Sequence, residues 1–186
     1  LVRSRGLGDV YKRQAVKRPG EKIFPYISKN LDDIITVEDE ELVVAFLDMV
    51  ENHKMIVENS GLLTVAALKH LDVKNKKIVS ILSGGNMDVI TMSSVVQQGL
   101  VLRDRIFSVS VLLPDKPGEL SRVADVIAKE DGNVIKLEHN QFVSINRNAA
   151  VELRITLEAY GTEHKNQIIR ALKEHGYQPK LVRASI

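Results

Sequence analysis

The chain has 186 residues, of which 44% are apolar and 27% charged, with a formal net charge of +2. This composition is typical of a globular protein with one large or two small domains, and the charge gives no electrostatic case for nucleic-acid binding. The absence of cysteine excludes disulfides and thiolate metal sites and favours a cytoplasmic location. No apolar run approaches the ~18 residues of a membrane span, and no secretory signal is visible, so no membrane partner is expected.

The first half of the chain is predicted to begin its regular structure with a short strand over 34–37. A helix over 36–54 follows, because one of its faces is apolar, with Leu42, Val43, Ala45, Phe46, Met49 and Val50. A second, alanine-rich helix is predicted over 62–71, and a basic, polar connector leads from it to residue 77.

The most informative segment is the loop Ser83-Gly84-Gly85-Asn86. Before it, residues 77–82 are mostly apolar and β-branched, which predicts a strand buried on both faces. After it, helical spacing predicts a helix over 87–98, ended by Gly99. Strand, small polar loop and helix is the arrangement in which α/β proteins hold ligands at the carboxyl ends of their strands. A plain structural turn is the alternative, because the spacing matches neither a P-loop nor a dinucleotide fingerprint.

From Ile106 onward the pattern changes to short alternating runs separated by helical stripes. Strands are predicted over 107–113, 133–143, 151–157 and 177–182. Helices are predicted from Leu120 to near Gly132 and over 162–175. The strand over 151–157 should have one buried and one wet face. The last strand is expected at an edge, because Pro179 cannot donate to a ladder. The resulting β-α-β-β-α-β order is the ferredoxin-like split arrangement.

The second half resembles an ACT domain, a small regulatory module that usually binds amino acids at a subunit interface. The resemblance lies in Asp115-Lys116-Pro117-Gly118-Glu119-Leu120 and in Asp131-Gly132-Asn133-Val134. It implies a regulatory site made by Leu113, Asp115, Pro117, Gly118, Glu119, Leu120, Asn133 and Val134. Free N–H groups at the helix start could hold a carboxylate, with Asn133 contributed by a neighbouring subunit. Alternatively, Pro117-Gly118 only turns the chain, since many ACT domains act only in assembly.

The first half, in its motif order, resembles the threonine ammonia-lyases (threonine dehydratases). The motifs are Ala15-Val16-Lys17-Arg18-Pro19-Gly20, Asp32-Asp33-Ile34, Val57-Glu58-Asn59-Ser60-Gly61 and Ser83-Gly84-Gly85-Asn86. The third departs from the family, which more often has Gly-Ala-Gly after the glutamate, and it is interpreted as tolerated variation. The resemblance implies an α/β fragment of a pyridoxal-phosphate fold-type II (tryptophan synthase β-like) domain over 15–105, followed by an α+β ferredoxin-like ACT domain over 106–183.

The family uses pyridoxal 5′-phosphate, bound as a Schiff base to a lysine, to convert threonine into 2-oxobutanoate and ammonia by β-elimination. The resemblance places Ser83 at the pyridine nitrogen, where a neutral hydroxyl moderates the electron sink. It leaves room for the ring at Gly84 and Gly85, and Asn86 could fix the loop. Glu58 resembles a glutamate near the cofactor, although a carboxylate at a helix N-terminus is an equally good interpretation.

Two family motifs have no counterpart in this sequence: the one around the Schiff-base lysine and the Gly-rich phosphate cradle. The surface is the expected place of Lys17, Lys54, Lys69 and Lys77. Leu1–Gln14 matches nothing in the family and is interpreted as a foreign, adapter-like segment that carries no information about the fold. The chain is therefore predicted to be an inactive C-terminal fragment of an enzyme more than twice as long.

Two other functions remain open on sequence. One is a stand-alone amino-acid-binding or dimerisation module of the ACT type, and the other is a serine-specific relative of the lyase. The expected partners are small amino acids (threonine as substrate, isoleucine or valine as effector) and further copies of the chain in a homo-oligomer. The five histidines are too scattered for a metal site.

Overall fold

The computed structural model describes residues 3–5, 20–140 and 151–184. The chain divides into two compact units, Leu1–Gly99 and Leu100–Ile186. The division falls a few residues before the predicted boundary at residue 105. None of the helices in the described ranges is long and apolar enough to cross a membrane.

The first unit combines helices with a small two-stranded sheet. Its elements are β1 (Arg3–Arg5), α1 (Phe24–Asn30), β2 (Thr36–Glu38), α2 (Asp39–Asp48), a π turn (Met49–His53), a 3-10 turn (Asn59–Leu62), α3 (Leu63–Ala66), a second 3-10 turn (Ala67–His70) and α4 (Val89–Leu102), which continues into the second unit. The predicted strand near residue 36 and the helices after it are thus confirmed in kind, with shifted bounds.

The core of the first unit is built on the apolar face of α2. Glu38 begins the helix by donating its backbone N–H to Glu41 Oε2 at 2.8 Å, half of a capping box. The buried residues of this core are Val37, Leu42, Val43, Ala45, Phe46, Met49, Val57, Leu62, Ala66, Ala67 and Val95. The stripe predicted from the sequence therefore faces inward, except for Val50, which is only partly buried.

The strand predicted over 77–82 does not form, and this segment has neither helix nor strand structure. Val79 is 92% exposed and Ile81 73%, so the expected burial on both faces is wrong as well. A strand needs a neighbour to bond its backbone groups. Within the described part of this unit the only strands are β1 and β2, and they pair with each other.

Gly99 does not end its helix as predicted, since α4 continues to Leu102. A Cβ at Gly99 would lie 2.5 Å from Leu47 Cδ1 and 3.2 Å from Val43 Cγ1. This glycine therefore serves the close packing of α4 on α2, which has no local signature in the sequence.

β1 and β2 pair in parallel, with Arg3 opposite Thr36 and Arg5 opposite Glu38. The strand β1 lies within Leu1–Gln14, the segment interpreted as adapter-like. The foreign origin of the segment stays a prediction.

The second unit has the predicted β-α-β-β-α-β order. Its elements are β3 (Ile106–Leu113), α5 (Glu119–Lys129), β4 (Asn133–Asn140), β5 (Val151–Glu158), α6 (Thr162–Glu174) and β6 (Lys180–Val182). The sheet order is β4-β5-β3-β6, and all neighbours are antiparallel. This confirms the ferredoxin-like arrangement, with β6 at an edge after Pro179. The predicted turn over 144–148, and the end of the strand predicted over 133–143, lie outside the described residues.

One face of this sheet packs on α5 and α6. The core contains Phe107, Val109, Val111, Leu113, Val123, Val126, Ile127, Leu153, Ile155, Leu157, Ala159, Ile168, Ala171 and Leu172. The other face of the sheet is partly buried, whereas β5 was predicted to have one solvent-exposed face. Thr156 and Ser108 are both buried, and their hydroxyl oxygens lie 2.8 Å apart in a hydrogen bond.

Candidate functional site

The two motifs predicted to lie near a cofactor, around Glu58 and around Ser83, meet in the first unit. The backbone N–H of Glu58 donates to the carbonyl oxygen of Gly84 at 3.1 Å. Gly61 donates its N–H to the carbonyl oxygen of Glu58 at 2.8 Å, which folds the first motif into a tight turn. Segments more than twenty residues apart in the sequence are therefore held side by side.

Two glycines make this contact possible. A Cβ at Gly61 would overlap the carbonyl oxygen of Ser83. A Cβ at Gly84 would lie 2.5 Å from both Cδ and Oε1 of Glu58, and Gly84 also has a φ of +80°, which favours glycine. Gly61 is thus required by the close approach of the Ser83 backbone, and Gly84 is favoured by its positive φ and by the Glu58 side chain beside it.

The loop beyond this contact is open to solvent. Ser83, Gly84, Gly85 and Asn86 are exposed, whereas Glu58 is half-buried. A Cβ at Gly85 would meet only the carbonyl oxygen of Ile56, at 3.4 Å. The loop therefore presents a hydroxyl, an amide and a bare stretch of backbone on an accessible surface.

Two hydroxyls that sequence reasoning missed support these segments. Ser60 Oγ donates to Glu58 Oε1 at 2.7 Å, and Thr64 Oγ1 donates to the carbonyl oxygen of Ile81 at 3.0 Å. The only available signal for Ser60 was the departure from Gly-Ala-Gly, and for Thr64 there was none. In the same turn, Asn59 Oδ1 is buried without a hydrogen-bond partner in the described part of the chain.

The three predicted surface lysines that are described lie on the surface. Lys54, Lys69 and Lys77 are exposed, and Lys54 has a left-handed backbone conformation after the π turn. Lys17 lies outside the described residues. Within the described ranges, no three His, Asp or Glu side chains are grouped to hold a metal ion.

The predicted regulatory residues of the second unit begin with the turn between β3 and α5. Leu113 is buried in the core, whereas Asp115, Pro117, Gly118 and Leu120 are exposed. Gly118 has a φ of +91° and precedes the first turn of α5. Next to it in that first turn, the half-buried Glu119 accepts a hydrogen bond from Arg122 Nη1 at 2.8 Å.

The other two predicted regulatory residues, Asn133 and Val134, lie at the opposite end of the same sheet. Asn133 pairs with Glu158, which pairs with Ile106 at the start of β3, whereas Leu113 at its end pairs with Val151. An eight-residue strand is about 23 Å long at ~3.3 Å per residue. One copy of the chain therefore does not bring the two parts of the predicted site together.

Comparison with known proteins finds close relatives but no matching family model. The chain is 38% identical to L-threonine ammonia-lyase of Geobacter sulfurreducens over 88% of its length, and 32% identical to that of Thermotoga maritima over 90%. It is 26% identical to the biosynthetic L-threonine dehydratase of Escherichia coli over 88% of its length. The chain spans only 41%, 42% and 32% of these three relatives. The resemblance inferred from the motifs is thereby confirmed.

Two solved structures are similar to part of this chain. One is the ACT domain from GTP pyrophosphokinase of Chlorobium tepidum (15% identity, TM-score 0.34, 41% of this chain and 96% of that chain). The other is prephenate dehydratase from Streptococcus mutans (21% identity, TM-score 0.35, 41% and 40%). The ferredoxin-like fold of the second unit is assigned from its strand order, β4-β5-β3-β6.

Proposed function

Because the chain is related to the threonine ammonia-lyases over 88% of its length, we propose that it is the C-terminal part of such an enzyme. Residues 15–105 then belong to a pyridoxal-phosphate domain of fold type II, and residues 106–183 form an ACT regulatory domain. The whole enzyme would convert threonine into 2-oxobutanoate and ammonia. The chain alone is expected to be inactive, because it has no counterpart of the lysine motif.

The observation that carries this proposal is the packing of the Glu58 turn on Gly84, which leaves Ser83 exposed at the tip of a glycine-lined loop. The residues present fit one edge of the coenzyme. The backbone at Gly85 is open, since a Cβ there would meet only the carbonyl oxygen of Ile56 at 3.4 Å, and Asn59 Oδ1 is a buried acceptor without a partner in the described residues. The coenzyme, when bound, supplies the electron sink for the elimination.

Ser83 has a limited and specific part in this proposal. Its hydroxyl would donate a hydrogen bond to the ring nitrogen, and because the hydroxyl is neutral it would not hold a proton there as a carboxylate does. The half-buried Glu58 would keep the loop in place from behind. Asn86 would hold the far end of the loop.

The exposed apolar run over 77–82 supports a larger parent domain. Val79 and Ile81 project into solvent although their residue types favour a buried strand. In the proposed enzyme, strands from the rest of the catalytic domain would pair with this segment and cover both of its faces.

A chimera tests the catalytic proposal. The N-terminal part of the Geobacter sulfurreducens relative, up to the position aligned with Ala15, would be joined to residues 15–186. We expect the chimera to release 2-oxobutanoate from threonine, and Ser83→Ala to lower kcat about 100-fold, as for loss of a preorganised donor. The matched control is Ser94→Ala, which removes a hydroxyl that donates to the carbonyl oxygen of Ile90 within α4.

Two results would contradict the proposal. One is release of 2-oxobutanoate by the 186-residue chain alone with pyridoxal 5′-phosphate. The other is an active chimera that is indifferent to Ser83→Ala. A chimera faster with serine than with threonine would instead favour the serine-specific relative.

The regulatory part of the proposal is amino-acid binding between two copies of the second unit. Its support is the separation of Asn133 from the Asp115–Gly118 turn in a single copy. A ligand that touches both must lie between chains, which implies a homo-oligomer.

Calorimetry of the chain with isoleucine, valine and threonine tests this part. We expect heat with isoleucine or valine, lost in Asn133→Ala and kept in the control Asn30→Ala, an exposed residue of α1. No heat with any of the three would favour a purely structural role in assembly. Heat together with an inert chimera would favour the stand-alone sensor.

A further inference from the structure

We propose that Ser60 is a positioning residue that holds the Glu58 carboxylate against Gly84 and so sets the position of the loop carrying Ser83. The consequence for the coenzyme depends on the proposed function, whereas the packing itself does not. Ser60 stands where the threonine ammonia-lyase family more often has alanine. The hydrogen bond to Glu58 therefore arises from this chain's departure from the family motif.

The contacts form a chain from Ser60 to the loop. Ser60 Oγ donates to Glu58 Oε1 at 2.7 Å in a partly buried setting. The carboxyl group of Glu58 fills the space that a side chain at Gly84 would need, since a Cβ there would lie 2.5 Å from Glu58 Cδ. The backbone N–H of Glu58 also donates to the carbonyl oxygen of Gly84 at 3.1 Å. Glu58 thus holds the loop through its backbone and its side chain.

Ser60 matters because a glutamate side chain resists being fixed. Its several rotatable bonds lose conformational entropy when one rotamer is selected. A hydroxyl that donates to a carboxylate makes a charge-assisted hydrogen bond, which is stronger than a bond between neutral groups. Alanine at position 60 would leave the Glu58 carboxylate free to turn toward solvent and would loosen its cover over Gly84.

Amide hydrogen exchange of the 186-residue chain, followed by NMR, tests the packing directly. The amide of Glu58 reports its hydrogen bond to Gly84. We expect Ser60→Ala to speed its exchange about fivefold, the factor for one net hydrogen bond, and Ser60→Thr to restore slow exchange. Ser94→Ala should leave it unchanged.

Two results of that measurement would overturn the inference. One is unchanged exchange at Glu58 in Ser60→Ala. The other is equal acceleration at Glu58 and at Phe46, a fully buried residue of α2, because it would show a general loss of stability.

The chimera tests the consequence for the coenzyme. Titration with pyridoxal 5′-phosphate, followed by absorbance, should give a Kd about fivefold higher in Ser60→Ala, the same single-bond factor, and near the original in Ser60→Thr. An unchanged Kd would refute the positioning role in cofactor binding. A chimera that binds no coenzyme would refute the proposed function instead, and the exchange measurement would still decide whether Ser60 holds the loop.

Discussion

Asp104 shows how one residue can join distant parts of a small domain. It has a left-handed φ of 54° just before β3. Its carboxylate accepts hydrogen bonds from Thr162 Oγ1 at 2.8 Å and from Lys165 Nζ at 2.6 Å. Burial would by itself raise the pKa of Asp104, but the hydrogen bonds from Lys165 and Thr162 lower it below its ordinary value. The ionised form therefore stabilises the start of α6.

The lowered pKa of Asp104 predicts an acid-sensitive stability. A carboxyl whose folded pKa is depressed stabilises fully above its unfolded pKa, about 4, and loses this as the pH falls through the folded value. Asp104→Asn should therefore lower the Tm at pH 6. It should also make the Tm decrease less steeply as the pH falls below 4. Thermal unfolding between pH 2 and pH 7 measures this, with the exposed Asp125→Asn of α5 as control. If the Tm values of wild type and Asp104→Asn fell in parallel below pH 4, the stabilising role of the Asp104 carboxylate would be refuted.

At the scale of elements, β3 and β5 are joined by a buried polar pair on the face away from the helices. Ser108→Ala would remove one hydroxyl and leave that of Thr156 buried without a partner, which costs about 1–3 kcal/mol. Replacing both, as Ser108→Ala with Thr156→Val, should come close to wild-type stability because no unsatisfied group remains. Urea unfolding of Ser108→Ala, Thr156→Val and the double variant measures the coupling. A double variant less stable than Ser108→Ala would contradict it.

The elements also show what the sequence can and cannot predict. The alternation Val151 to Leu157 predicts β5 correctly, because its neighbours are present in the chain. Residues 77–82 also carry a strand signal, a continuous apolar and β-branched run, but form no strand, since pairing depends on partners and not on residue type alone. Gly99 was interpreted as a helix end, yet it serves contact with Leu47, which lies 52 residues earlier.

The candidate site follows the same rule. The sequence contains both motifs, around Glu58 and around Ser83, but not their contact, because a hydrogen bond from Glu58 to Gly84 depends on how the intervening chain folds. The hydroxyl of Ser60 was read as tolerated variation, since only the structure shows what it bonds. The predicted regulatory set was likewise silent on register, which places Asn133 far from Gly118.

At the scale of the whole molecule, the two units differ in how complete their cores are. Every buried residue of the core cluster in the second unit lies within the range from Phe107 to Leu172. The first unit exposes apolar side chains that suit a buried strand, including Val79 and Ile81. The second unit is therefore the better candidate for independent folding.

This difference predicts the outcome of cutting the chain. Residues 100–186 expressed alone should show one cooperative thermal transition, with a Tm within about 5 °C of the matching transition in the whole chain, because little of their core is lost. Residues 1–99 alone should lack a sharp transition. Calorimetry of both pieces measures this, and a broad transition for 100–186 would contradict the prediction.

Asn133 and the Asp115–Gly118 turn lie at opposite ends of the sheet, separated along the strands by about 23 Å, the length of an eight-residue strand. This separation has a consequence for any effector that touches both. Such an effector assembles the chains that bind it, so its apparent affinity must rise with protein concentration and fall on dilution. Titrations at micromolar and nanomolar protein would then give different answers for the same molecule. In a cell, the response to the effector would depend on how much of the protein had been made.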